Sequence, residues 1–349
     1  MKMLKYNFRT LMAAVACFAV VATSCSTAKP GITASTSTAQ PSEPWPTAST
    51  KRLALDTFPV GIAVDDSSGE VYVLASDEIL VFDPDTEAPK SRIQLGPGID
   101  DIAFDSAHRT AWVSSNSRTN SPADRTVNIL DCRRKEVIGS VELQHPAIAV
   151  GIDSAGKRAF VVNRPDDQTV IPAQRSWVSV FDTDTRQLID TVELPFAAYG
   201  IEVDSHTHSA VISGWGSTKV MSTQTLAVDR TRSISSDSSS AAVALDHQTG
   251  TAYVASDNML STIELRTNMA VAERKVEWDD ASMDIGPEST LLVPDHENRV
   301  LLVIDSVTGE ILARIPVGIE PNGVVSTANR RAAYVYSNSD RSVTVVVFG

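Results

Sequence analysis

The sequence predicts an all-β chain folded as a seven-bladed β-propeller, and three observations predict it. A short apolar segment ending in a polar residue recurs seven times between residue 61 and the C-terminus. Each copy is followed by two further strand-like runs and, in most copies, by a fourth that alternates apolar and polar residues. The last copy stops after three runs, and a matching alternating run stands alone in front of the first copy. Internal repetition near forty residues is the period of a four-stranded blade.

The opening segments are GIAVD (61–65), DIAFD (101–105), AVGID (149–153), GIEVD (200–204), AVALD (242–246), SMDIG (282–286) and NGVVS (322–326), so successive steps are 40, 48, 51, 42, 40 and 40 residues. Second strands follow as EVYVLAS (70–76), TAWVSSN (110–116), RAFVVN (158–163), SAVISG (209–214), TAYVAS (251–256), TLLVPD (290–295) and AAYVYS (332–337). Third strands include EILVFD (78–83), WVSVFD (177–182) and SVTVVVF (342–348). Near-continuous apolar runs suit strands covered on both faces. The third-to-fourth turns open on Asp83, Asp182 and Asp305, whose carboxylates can accept the turn's N–H groups. Fourth strands alternate, as Arg92-Ile93-Gln94-Leu95 and Arg314-Ile315-Pro316-Val317 do, and Pro316 marks an outer edge. The lone run Lys51 to Asp56 is expected to supply blade seven's missing strand and close the ring.

The stretches PNGVVSTANRRAAYVYSNSDRSVTVV (321–346) and VLLVIDSVTGEILARIPVG (300–318) resemble the YVTN-type β-propeller repeat, and the resemblance covers about 51–349. It implies a WD40-like or YVTN-like ring on an exported bacterial or archaeal surface protein, and little chemistry, because that fold hosts many activities. Blade 4 departs from the pattern at Ser222-Thr223-Gln224, and blade 5 has Glu264, where the turn Asp is expected.

Residues 1–24 read as a lipoprotein signal peptide: a basic start with Lys2, Lys5 and Arg9, an apolar run too short to span a bilayer, then Ala22-Thr23-Ser24-Cys25. The ending resembles a bacterial lipobox with Ala22 in place of the usual Leu, which implies lipidation of Cys25. Residues 25–50 read as a disordered Ser/Thr/Pro tether, and 51–349 as the propeller. The expected address is the bacterial cell envelope, on the extracytoplasmic side of a membrane, held by lipid alone. The formal charge is −13, and the signal segment holds three bases and no acid, so the remainder is −16. That excess disfavours nucleic acid and favours cations or basic partners. Three cysteines build no disulfide framework.

Catalytic signatures are absent: no Gly-x-Ser-x-Gly, no Cys-x-x-Cys and no phosphate-binding Gly-rich Lys loop. Aligned on the opening strand, one column reads Ala63, Ala103, Gly151, Glu202, Ala244, Asp284, Val324, and the two carboxylates break its small-residue rule. Innermost strands crowd the axis, so Glu202 and Asp284 are candidates for a channel site. By topology the fourth-to-first and second-to-third loops share one face. It carries Asp100, Asp101, His145, Phe196, Tyr199, Trp215, Asp257, Asp279, Asp280, Asp295, His296, Glu320 and Asn322, and both long insertions (117–125 and 164–176). The ligand-binding set expected there and in the channel is Asp101, Tyr199, Glu202, Trp215, Asp280, Asp284 and Asn322, with Trp215 made accessible by flanking glycines.

The opposite face carries His108, His206, His208 and His247, with Cys132 as a lone thiol. The reading that results is a monomeric, non-enzymatic binding module without a cofactor. Its acidic loop face would take a protein, an envelope polymer or a cationic ligand. Two alternatives stand beside it: a lactonase- or lyase-like enzyme using a divalent cation, and a metal-delivery lipoprotein using His206, His208 and His247.

Overall fold

Seven antiparallel sheets follow one another along the chain and close into a ring. The computed structural model describes residues 47–83, 89–117, 122–165, 175–229, 242–278 and 282–349. The expected signal peptide, Cys25, nearly all of the tether and Asp280 lie outside the described residues. Inner strands of successive blades touch all the way round, including blade 7 against blade 1. They run Pro59–Asp65, Ile99–Asp105, Ala147–Asp153, Ala198–Asp204, Ala242–Asp246, Asp284–Ile285 and Pro321–Ser326. Six blades have four described strands; blade 4 has three, with Val228 bridging Met221 at its outer edge.

Ring closure is as the repeat predicts. Ala48–Ala54 pairs antiparallel with Ser342–Phe348 in unbroken register from Ala48 opposite Phe348 to Ala54 opposite Ser342. The strand starts a few residues before Lys51, because Ala48, Ser49 and Thr50 still find partners on the C-terminal strand.

The core lies between blades rather than at the axis. Middle strands such as Glu70–Ala75 and Glu78–Phe82 are buried along their whole length. Tyr72, Leu74 and Ile79 of blade 1 pack on Ile102 and Val113 of blade 2, and Phe160 and Val178 of blade 3 pack on Ile201 and Ile212 of blade 4. Each such apolar side chain contributes about 1.5–3 kcal/mol on burial. Outer strands are largely exposed, with alternation clearest in Ile311–Pro316, and several expose apolar residues, among them Leu188, Ile189 and Val271.

Local chemistry sets the turns. Asp182 accepts the N–H and hydroxyl of Thr185 at 2.7 and 2.9 Å, and Asp305 accepts the N–H groups of Val307 and Thr308 at 2.7 Å. In blade 4 the Ser222 hydroxyl takes the Thr225 N–H at 3.2 Å, and in blade 5 Glu264 takes the Thr267 hydroxyl at 2.6 Å, so the departures keep the turn. One alignment is corrected. In blade 7, Val325 pairs with Tyr334, as Ala63 pairs with Tyr72 in blade 1. Val325, not Val324, therefore occupies the axial column, and Thr327 is the counterpart of the strand-ending aspartates.

Candidate functional site

The axial column explains its own small residues. A Cβ on Gly151 would fall 2.6 Å from the side chain of Val203 on the next blade's inner strand. A larger side chain must point along or across the channel. Asp101 and Asp284 do this in the same way. Asp101 accepts the N–H of Ile102 and, across the blade boundary, the N–H of Val150, both at 2.9 Å. Asp284 accepts the N–H of Ile285 at 2.7 Å and that of Ser326, on blade 7, at 2.6 Å. Each carboxylate ties the inner strand of one blade to the backbone of the next, a charge-assisted bond worth about 1.5–3 kcal/mol.

Glu202 differs. Its side chain is open to channel water yet enclosed by the ring, and it has no hydrogen bond among the described residues. Burial within the ring pushes its carboxyl up to about 8, the charges of Asp101 and Asp284 add to the rise, and His247 opposes it. Asp284 is also raised, because burial outweighs the N–H groups of Ser326 and Ile285. Asp66, which the sequence reading passed over, joins this group: burial raises it, with His247 opposing and Asp65 adding. Its only sequence signal is a second carboxylate directly after a strand-ending Asp. His247 is raised by its bond to Asp204 first, with burial opposing and Glu202 and Asp66 contributing. The channel is thus an acidic axis that holds the Glu202 carboxyl well above the usual carboxylate range.

On the loop face, aromatic rings meet cations from the same chain. The Arg164 guanidinium lies 5.0 Å from the ring centre of Tyr199, and that of Arg341 lies 3.8 Å from Phe58. His145 stacks on Trp177 at 4.3 Å. Asn322 accepts the Asn338 N–H at 2.8 Å and so holds its own loop. Trp215 is half-buried at the tip of blade 4, its backbone N–H bonded to the Ala197 carbonyl at 2.7 Å. The flanking glycines serve the turn rather than access. A Cβ on Gly214 would fall against the Ala197 carbonyl and 2.8 Å from the Phe196 ring, and Gly216 sits at φ 64°.

On the opposite face, the strand-ending aspartates are buried and hold the turns. Asp153 is fully buried and accepts the Gly156 N–H at 2.8 Å, the Thr223 hydroxyl, and His208 Nδ1 at 2.8 Å, the last two from blade 4. Asp204 faces His247 Nδ1 at 3.4 Å, and Asp246 pairs with Arg330 at 2.6 Å. His206 is exposed, with Nδ1 3.8 Å from Asp204. The structure therefore brings His208 and His247 each to a carboxylate. Among the described residues no three His, Cys, Asp or Glu side chains converge as a metal ion would need. Cys132 is a free thiol buried between blades 1 and 2, and burial pushes it up to about 11.

No protein-family model matches the chain, and no curated protein matches it. Solved structures do. The chain is similar to the WD40 repeats of RRP9 (10% identity, TM-score 0.70, 86% of this chain and 97% of that one). It is also similar to the hydrazine synthase of Kuenenia stuttgartiensis (14%, 0.69, 85% and 97%) and to U3-55K (10%, 0.68, 86% and 98%). At such identities the likeness establishes a WD40-like seven-bladed propeller and nothing finer.

Proposed function

We propose that this chain is a lipid-anchored, extracytoplasmic binding module of YVTN-like type, monomeric and non-catalytic, which holds a basic group of a partner protein or envelope polymer on its loop face. One observation carries the reading: that face already seats two guanidinium groups on aromatic rings, Arg164 on Tyr199 and Arg341 on Phe58. Such contacts contribute about 0.5–2 kcal/mol each. Acidic residues of the second-to-third loops, among them Asp77, Asp257, Asp295 and Glu297, share that face and supply attraction that salt screens. Propellers serve widely as protein-binding scaffolds, which fits the fold.

The competing lactonase- or lyase-like reading rests on Glu202, since Asp101 and Asp284 both hold backbone N–H groups of a neighbouring blade. An arginine-rich dodecapeptide separates the two. Binding to the full chain is expected to weaken steadily from low to high salt. Trp215→Ala is expected to weaken it about tenfold, or roughly 1.4 kcal/mol. Binding indifferent to both salt and Trp215 refutes the assignment. Chelator-sensitive turnover of a lactone that is lost in Glu202→Gln installs the enzyme reading instead.

A further inference from the structure

Between blades 2 and 3, on the face opposite the loop face, a half-open crevice of about 230 Å³ enters the ring. Trp112 and Ile129 of blade 2 give it an apolar wall. Thr183, Asp184 and Arg186, from the third-to-fourth turn of blade 3, give it a polar one.

Three details mark it as a built site. Thr183 lines the crevice and is 8% exposed, and its buried hydroxyl has no hydrogen-bond partner among the described residues. Buried hydroxyls are ordinarily paired, and an orphan costs about 1–3 kcal/mol. Arg186 reaches back to blade 2, where its Nη1 donates to the Ile138 carbonyl at 3.1 Å. Its remaining N–H groups have no partner among the described residues. Space for that guanidinium exists only because residue 139, within the strand Glu136–Glu142, is glycine: a Cβ there would collide with Nη1. A mid-strand glycine marks a close approach of this kind. Asp184, the one acid among the described lining residues, is already paired with cationic neighbours. Lys157 lies 2.8 Å from it, and His108 lies 2.6 Å from it through Nε2, with its Nδ1 on Asp105 at 2.7 Å.

We propose that this crevice binds a small organic carboxylate. The free edge of the Arg186 guanidinium pairs with the carboxylate, the Thr183 hydroxyl donates to it, and a short apolar chain lies on Trp112 and Ile129. A planar fork matched to two oxygens is the usual reason for arginine at such a place. A cavity of roughly 150 Å³ accommodates benzene, so this one suits a ligand of roughly six to ten non-hydrogen atoms. The site is independent of the loop-face reading and lies at the other end of the ring.

Butyrate is the probe, observed by saturation-transfer NMR on the full chain, with circular dichroism confirming the fold of each variant. Transfer is expected with the parent chain, and Arg186→Gln is expected to weaken affinity about tenfold. Gly139→Ala is expected to act in the same direction while keeping the charge, by displacing the guanidinium. Thr183→Val separates binding from packing: affinity falls several-fold while the melting temperature without butyrate rises, because the orphan hydroxyl is gone. No transfer with the parent chain overturns the proposal, as does equal affinity in Arg186→Gln and Gly139→Ala. Displacement of butyrate by an equal or lower concentration of inorganic phosphate overturns the carboxylate assignment.

Discussion

Removing the Asp153 carboxylate tests whether the histidine face is architecture. In Asp153→Ala the Thr223 hydroxyl, the Gly156 N–H and the His208 imidazole lose a common acceptor. Asp153 and Thr223 are both fully buried, so water cannot replace that bond without opening the boundary between blades 3 and 4. His208 is about one-third exposed on its side chain and recovers solvent. Removing one partner of a buried charged network costs about 3–5 kcal/mol. His208→Ala leaves Asp153 still bonded to Thr223 and Gly156 and is expected to cost about 1 kcal/mol, an ordinary hydrogen bond. Calorimetry should place the Asp153→Ala melting temperature about 5–10 °C below the parent, with His208→Ala lowering it only slightly. The pH dependence has a definite sign. Burial alone raises the Asp153 carboxyl, but His208, Thr223 and Gly156 together hold it below its usual range. Its contribution is therefore full above the unfolded value and is lost as pH falls through the folded one. An Asp153→Ala variant as stable as the parent, or a His208→Ala variant equally damaged, refutes this reasoning.

Glu202→Gln is expected to stabilise the fold on the alkaline side. Its folded carboxyl titrates at about 8, above the unfolded value, so the parent loses stability as pH rises from about 4.5 to 8 while the variant does not; melting curves at fixed ionic strength that run parallel refute this. Deleting Ala48–Ala54 strips the ladder from Ser342–Phe348 and leaves an open sheet edge, and loss of cooperative unfolding or of soluble expression is expected; a truncation that melts like the parent argues against closure. Cys25→Ser is expected to abolish lipid attachment and leave the propeller's melting temperature unchanged, read by mass and by membrane fractionation; an unaltered mass with retained membrane association removes the anchor.

The ring was legible because its signals are local. Apolar runs, alternating outer strands and turn aspartates each sit within a few residues of the structure they make, and the lone run near Lys51 had one vacancy to fill. The column of Ala63, Gly151, Glu202 and Asp284 falls on the inner strands as read, except in blade 7, where the glycine two residues before the column (Gly323, like Gly61 and Gly200) would have given the register. What the carboxylates do there was not legible. Asp101 and Asp284 find their acceptor role on a neighbouring blade more than forty residues away, and Glu202 feels charges from blades 2 and 6 that no spacing rule connects to it. Trp215 shows the same limit: its glycine neighbours look like open access in the sequence, but Gly214 is filled by Phe196 and Ala197. Likewise the partnership of Gly139 with Arg186 depends on two blades lying side by side.

The pairing of Ala48–Ala54 with Ser342–Phe348 also dictates an order of events. The first strand of the ring to leave the ribosome must wait for the last one before either has its neighbour. Bringing together ends about 290 residues apart costs roughly 5 kcal/mol of chain entropy, and the contact is as non-local as this chain allows. Six blades can collapse in sequence while the closing strand is still unpaired, so the slow step of folding falls at the joint. Until the joint is made, two bare strand edges coexist in one molecule, each a template for a strand from another chain. A nascent chain is thus most prone to aggregation just before the strand Ser342–Phe348 emerges, and conditions that delay that strand should harm its yield more than equal delays elsewhere.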